Sequence, residues 1–242
     1  MRPIERGPVP QVSVTTPQGT VTQDKTYAKY QYARGDLIGV LGDYCSYCER
    51  RLSSDCAVEH VQPKKGAGAQ PLLALSWENF LLGCRNCNSV KKDKAIALAD
   101  YFWPDLDNTF RAFVYSAGGA VQVNTTVLTT SQIQTAIRTM DLTGFAGNPT
   151  PGPTLSDRRR LSRSEVWDIA QMAFDDLQGH DYPALRRQIM QLALGYGYFS
   201  VWMTVFASDT DMKLRFINAF NGTASSCFDA QGDAVPRLSG HL

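Results

Sequence analysis

The sequence predicts an α+β chain: a small cysteine-rich core, then a β-hairpin, then a mainly α-helical C-terminal part. Three observations predict it. Two Cys-x-x-Cys pairs, Cys45/Cys48 and Cys84/Cys87, bracket one short segment. Gly118-Gly119 separates two short runs rich in β-formers, the mark of a hairpin. From residue 156 onward, apolar residues recur at helical spacing.

Taken in order, residues 1–23 are rich in Pro, Thr, Val and Gln and read as an extended arm or a disordered tail. Residues 25–41 place Tyr27, Tyr30, Tyr32, Leu37, Ile38 and Leu41 on one face of a helix that Gly35 interrupts. Residues 66–70 (GAGAQ) are a loop, and the stretch after Cys87 reads as a helix starting near Asn88. The hairpin is expected at residues 110–115 and 120–124, and a loop at 148–153 (NPTPGP). Helices are expected at 156–178, 182–194, 198–206 and 209–220; the third is apolar nearly all round and should be buried. The first of them carries Val166, Trp167, Ala170, Ala173, Phe174 and Leu177 on one face. These elements divide the chain into an arm and helix (1–42), a core (43–104) and a hairpin with helices (105–242) that docks a partner or supports the core. Deleting residues 155–242 is then expected to leave metal binding at the cysteines unchanged.

The bulk numbers exclude some functions. With 242 residues and 43% hydrophobic content the chain can bury a real core. Its net charge is only +1, whereas a protein that wraps nucleic acid carries a basic excess, so such contact must come from local clusters or a partner. The start has no apolar stretch of a secretory signal. The longest apolar run, FSVWMTVFA, is about nine residues against the ~20 needed to span a bilayer. A cytoplasmic location without membrane contact is expected, and in a reducing compartment paired cysteines read as metal ligands before disulfides.

Each Cys-x-x-Cys turn presents two thiolates, and two such turns supply the four ligands of tetrahedral zinc. Cys45, Cys48, Cys84 and Cys87 are therefore read as a structural Zn²⁺ site with no open position for water. Cys56 and Cys227 are left over and read as small buried hydrophobes. Of the three histidines, His180 precedes an Asp in a loop and His241 lies in the terminal tail. His60 alone sits inside the cysteine block, and a histidine with an ordinary pKa can accept a proton near neutral pH.

Together these residues carry a resemblance. Cys45-x-x-Cys48, Val58-Glu59-His60-x-x-Pro63-Lys64, Trp77-Glu78-Asn79-Phe80 and Cys84-x-x-Cys87-Asn88-x-x-Lys91 resemble the HNH endonucleases, in particular their zinc-containing ββα-metal branch. The resemblance implies a β-hairpin and helix around one metal, cleaving phosphodiesters. It makes His60 the catalytic general base and Asn79 the residue that orders the loop holding it. Glu59 and Asn88 become ligands of a catalytic divalent ion. Glu59 stands where Asp is commoner, and Asn88 where the family's name has its last His; both are oxygen donors, which suits Mg²⁺ or Mn²⁺.

Further segments (MRPIERG, WPDLDNTFRAF, DLTGF, DRRRLSRSE and FSVWMTVF) are similar to PtuB-like HNH nucleases of Septu and retron-associated anti-phage systems. That kinship implies an ABC/SMC-type ATPase partner and a nucleic-acid target, DNA before RNA. Lys64, Lys65, Arg85, Lys91 and Lys92, with Lys94, form a local basic cluster for phosphate contact, or else a solvated helix face. Arg158, Arg159, Arg160 and Arg163 form a second cluster that binds nucleic acid or a partner, or else is exposed helix surface. A zinc-binding interaction module without catalysis is the competing class.

Overall fold

The computed structural model describes residues 1–52, 54, 56–147 and 157–242. The loop expected at 148–153 and the helix start expected at 156 lie outside the described residues.

Three antiparallel two-stranded sheets and eight α-helices make up the described chain. The first sheet pairs β1 (Gln11–Thr16) with β2 (Gly19–Asp24), where alternating Val and Thr favour extended backbone. It is largely exposed. Residues ahead of it are not a loose arm: Met1 and Ile4 are buried, and Ile4 bridges to Thr223. The Arg2 guanidinium is buried with them because it donates to the carbonyls of Leu41, Phe220 and Asn221.

Where one helix was expected over residues 25–41, a 3₁₀ turn at Tyr30–Ala33 precedes α1 (Arg34–Leu41). The core motif follows. β3 (Ala57–His60) pairs with β4 (Phe80–Gly83), so that Glu59 faces Leu81 and His60 faces Phe80 across the ladder. α2 (Arg85–Lys91) follows directly. It starts three residues before the expected position because Cys84 is its N-cap, the sulfur accepting from Cys87 N–H at 3.4 Å. It also stops early, at Lys92, whose φ of 52° leaves the helical region. Beyond it the chain lies against the 66–70 loop. A Cβ on Gly66 would come within 2.7 Å of Asp93, and one on Gly68 within 2.4 Å of Ala95. Only glycine admits that approach.

The third sheet pairs β5 (Phe113–Ser116), which follows α3 (Thr109–Ala112), with β6 (Ala120–Val123). Gly118 and Gly119 both have positive φ in the turn, as the sequence predicts. α4 (Thr130–Thr143) has no counterpart among the sequence expectations. Its signal was a capping box, Thr129 with Gln132, and a left-handed Gly144 at the far end. Four helices then follow: α5 (Arg159–Gly179), α6 (Pro183–Tyr196), α7 (Phe199–Val205) and α8 (Thr210–Ala219). α7 is the buried one, with Phe199, Val201, Trp202 and Met203 nearly inaccessible.

Apart from the exposed β1–β2 hairpin, one apolar core runs through these elements, from Met1 to Leu242, and includes the four cysteines of the two pairs. The C-terminal helices reach the first cysteine turn through polar contacts as well: the Glu49 carboxylate accepts from Ser200 N–H at 2.8 Å and from its hydroxyl at 2.6 Å. No helix among the described residues is long and apolar enough to cross a membrane.

Candidate active site and metal centre

The first cysteine turn is closed by a bridge between Tyr44 and Arg51 and by left-handed Glu49, whose N–H bonds the Cys45 carbonyl at 2.9 Å. The second is the first turn of α2. Together they bring the sulfurs of Cys45, Cys48, Cys84 and Cys87 within 4.8 Å of one another, all buried. Zinc–sulfur bonds of ~2.3 Å in a tetrahedron put sulfurs about 3.8 Å apart. The Cys48 and Cys84 sulfurs are 3.6 Å apart, so the donor set fits a metal ion. The thiols also compete: hydrogen bonds from its neighbours hold the Cys84 pKa far below the thiol range, while burial pushes those of Cys48 and Cys87 well up. A bound cation removes that conflict by stabilising every thiolate.

Beside this centre, Glu59, His60 and Asn88 converge on one cavity of about 310 Å³. β3 supplies Glu59 and His60, and α2 supplies Asn88 one residue after the last cysteine. Lys64, Lys65 and Lys92 line the same cavity, with Asp93. So do Tyr30, Gln31 and Arg34, which the sequence reading did not place there. No local motif marks them, since a turn far upstream in sequence carries them in.

His60 is held from three sides. Its Nε2 lies 3.0 Å from the Ala74 carbonyl, which can only accept, so Nε2 carries the proton and Nδ1 is left as the acceptor. The Tyr30 and Phe80 rings meet it edge-on at 4.8 and 5.3 Å. Burial lowers the His60 pKa from its ordinary 6.5; the Ala74 bond opposes this, and Lys64 and Lys91 add to it. The net shift favours the neutral ring.

Asn79 locks the chain that follows His60. Its side-chain oxygen accepts from Gln62 N–H at 2.7 Å, and its amide nitrogen donates to the carbonyls of Gln62 (3.0 Å) and Leu73 (3.2 Å). It thereby ties both ends of the 62–73 loop, which leads into Ala74, the acceptor for His60.

The expected basic cluster divides. Lys65, Arg85 and Lys92 are exposed; Lys64 is half-buried, its ammonium 3.4 Å from the Tyr30 ring centre. Lys94 reaches the Leu142 carbonyl at 3.3 Å. Lys91 is a correction. It is 1% exposed and points inward, its ammonium 2.8 Å from Glu59 Oε1 and donating to the His60 carbonyl at 2.6 Å. Buried there, it has no atom to offer a phosphate. Arg85 is not part of the cavity wall.

The second arginine cluster is also mostly internal. Arg159 is buried, ion-paired with Asp157 and donating to Cys87 Sγ at 3.1 Å and the Thr143 carbonyl at 3.0 Å. Arg163 is buried on the carbonyls of Gly119, Phe145 and Ala146. Within that run Arg158 is the exposed member.

Comparison with known proteins agrees with this geometry. Residues 45–94 match the family model of the HNH endonucleases. A curated relative from Vibrio cholerae serotype O1 biovar El Tor, described as "Retron Vc95 putative HNH endonuclease", is 36% identical over 71 residues. That match covers 26% of this chain and 35% of the relative, so the chain spans about a third of the length of the curated relative it matches. Two sulfur turns beside a strand-borne Glu-His and a helix-borne Asn, and the family match over the same residues, identify residues 45–94 as an HNH endonuclease domain.

Proposed function

We propose that this protein is a metal-dependent endonuclease that hydrolyses phosphodiester bonds of DNA, with His60 as general base. The observation that carries the reading is the bond from His60 Nε2 to the Ala74 carbonyl, which leaves Nδ1 as acceptor in a cavity shared with Glu59 and Asn88. A neutral imidazole so held can take a proton from water as that water attacks phosphorus.

Glu59 and Asn88 would hold the divalent ion, Mg²⁺ or Mn²⁺. Such ions take oxygen donors and bind through one or two protein groups plus phosphate and water, which suits a donor pair this small. When bound, the ion neutralises charge on the phosphate and the leaving oxygen. Asn79 keeps the base in place by fixing the loop that bears its acceptor. Lys64, Lys65, Lys92 and Arg85 are the candidates for phosphate contact, with Arg34 added by the cavity wall. Zinc on the four cysteines is structural, because four sulfurs leave no position for water.

The description of the relative as a retron endonuclease supports a role in anti-phage defence, and the wider resemblance supports an ATPase partner in the cytoplasm. The test is cleavage of plasmid DNA with Mg²⁺ or Mn²⁺, alone and with the proposed ABC/SMC-type ATPase partner. Wild-type protein cuts and His60→Ala does not, with one zinc per chain in both. General-base catalysis contributes about 10²–10⁴-fold, which sets the expected loss. A wild type that never cuts leaves a zinc-binding interaction module; cleavage of RNA alone moves the substrate class.

A further inference from the structure

We propose that Lys91 is the positioning residue of this site: one buried ammonium sets both the Glu59 carboxylate and the backbone at His60. The inference rests on the function proposed above and concerns how its metal ligand and its base are kept in register.

Three observations carry it. Lys91 Nζ lies 2.8 Å from Glu59 Oε1 and 2.6 Å from the His60 carbonyl, so a single group grips two consecutive residues of β3. Glu59 and His60 line the cavity and Lys91 does not, so the grip comes from the protein side. Lys91 also ends α2, which Cys84 caps and which carries Cys87 and Asn88. The cysteine centre, the Asn88 ligand and the Glu59 carboxylate are thereby joined through seven residues of one helix.

The neighbouring lysine shows why the pair is not interchangeable. Lys92 takes a φ of 52°, leaves the helix and lines the cavity, while Lys91 stays helical and turns inward. One lysine faces the substrate side, and the other holds the site from behind. Partners that orient a metal ligand in this way typically change metal affinity about 10- to 100-fold when removed.

The test compares wild type, Lys91→Met and Lys91→Gln in the full chain. Mn²⁺ binding is read by electron paramagnetic resonance without DNA, zinc by elemental analysis, and plasmid cleavage as separate kcat and KM. The proposal expects Lys91→Met to keep one zinc per chain, to bind Mn²⁺ about 10- to 100-fold more weakly and to lose kcat. KM for DNA stays within about twofold, since Lys91 does not face substrate. If Lys91→Met fails to hold zinc, Lys91→Gln, which keeps one donor, is read by the same criteria.

Unchanged Mn²⁺ affinity in a variant that retains its zinc overturns the proposal. A raised KM with a shallower salt dependence and unchanged Mn²⁺ binding also overturns it, and makes Lys91 a phosphate contact. A wild type that binds no Mn²⁺ contradicts the proposed metal ligands themselves and takes this inference down with them. Equal binding by wild type and variant overturns this inference alone.

Discussion

At the scale of single residues, the site turns on which nitrogen of His60 is occupied. The Ala74 carbonyl takes Nε2–H, and burial between Tyr30 and Phe80 disfavours the imidazolium. Both effects leave Nδ1 ready to accept at neutral pH. The sign for catalysis follows. A base must be unprotonated, and its pKa here lies below 6.5, so kcat should hold steady from pH 8 toward 6.5 and fall only below that value. A pH–rate profile under single-turnover conditions checks this; an acid limb centred above pH 7 would contradict the proposed base. The resemblance to the HNH endonucleases singled out Glu59, His60, Asn79 and Asn88 in the sequence, and three of them, Glu59, His60 and Asn88, line one cavity. The Ala74 acceptor was not visible, because a backbone carbonyl has no letter of its own. Nor was the division between Lys91 and Lys92, which depends on one backbone angle at the end of α2.

At the scale of elements, α2 is where structure and proposed chemistry meet. Its N-cap is Cys84, its first turn holds Cys87, its middle holds Asn88 and its last residue is Lys91. The Arg run 158–163 reads in sequence as open either to ligand or to solvent, yet Arg159 and Arg163 are buried among carbonyls that only a folded loop could supply. Arg159 Nη1 on Cys87 Sγ places a positive charge beside a four-thiolate centre that stays negative even with a divalent ion bound. Arg159→Met should therefore release metal to a colorimetric chelator more readily, with zinc affinity reduced about 10- to 100-fold. Release indistinguishable from wild type would show the contact to be incidental. α4 escaped the sequence reading although Ile133, Ala136, Ile137 and Met140 recur at helical spacing and its caps at Thr129 and Gly144 are well formed. The early end of α2 escaped it too: KKDKAIALAD has good helical composition, but the chain leaves helical geometry at Lys92 and packs against Gly66 and Gly68 instead.

At the scale of the whole molecule, the α+β class and the helical C-terminal part were legible because periodicity and turn residues are local signals. How the parts join was not, since it rests on contacts between residues far apart in sequence. Met1 and Ile4 pack into the same core as Phe220 and Cys227. Ser200 on α7 holds Glu49 of the first cysteine turn, and Arg159 on α5 holds Cys87 of the second. These contacts argue against the separable arrangement that the sequence alone suggests. Deleting residues 157–242 should strip both supports and expose the buried core, giving a fragment that fails to retain zinc and unfolds without a cooperative transition by circular dichroism. A truncated fragment that keeps one zinc and a sharp melt would restore the separable core. The proposed cleavage depends on His60 acting as base beside an ion on Glu59 and Asn88. Its most direct test is plasmid cleavage with Mn²⁺ by wild type and His60→Ala, each with its zinc counted and each tried with and without the proposed ATPase partner. Cutting by the wild type and a loss of about 10²–10⁴-fold in the variant at unchanged zinc content are the expected result. Equal cutting by the two proteins would contradict it.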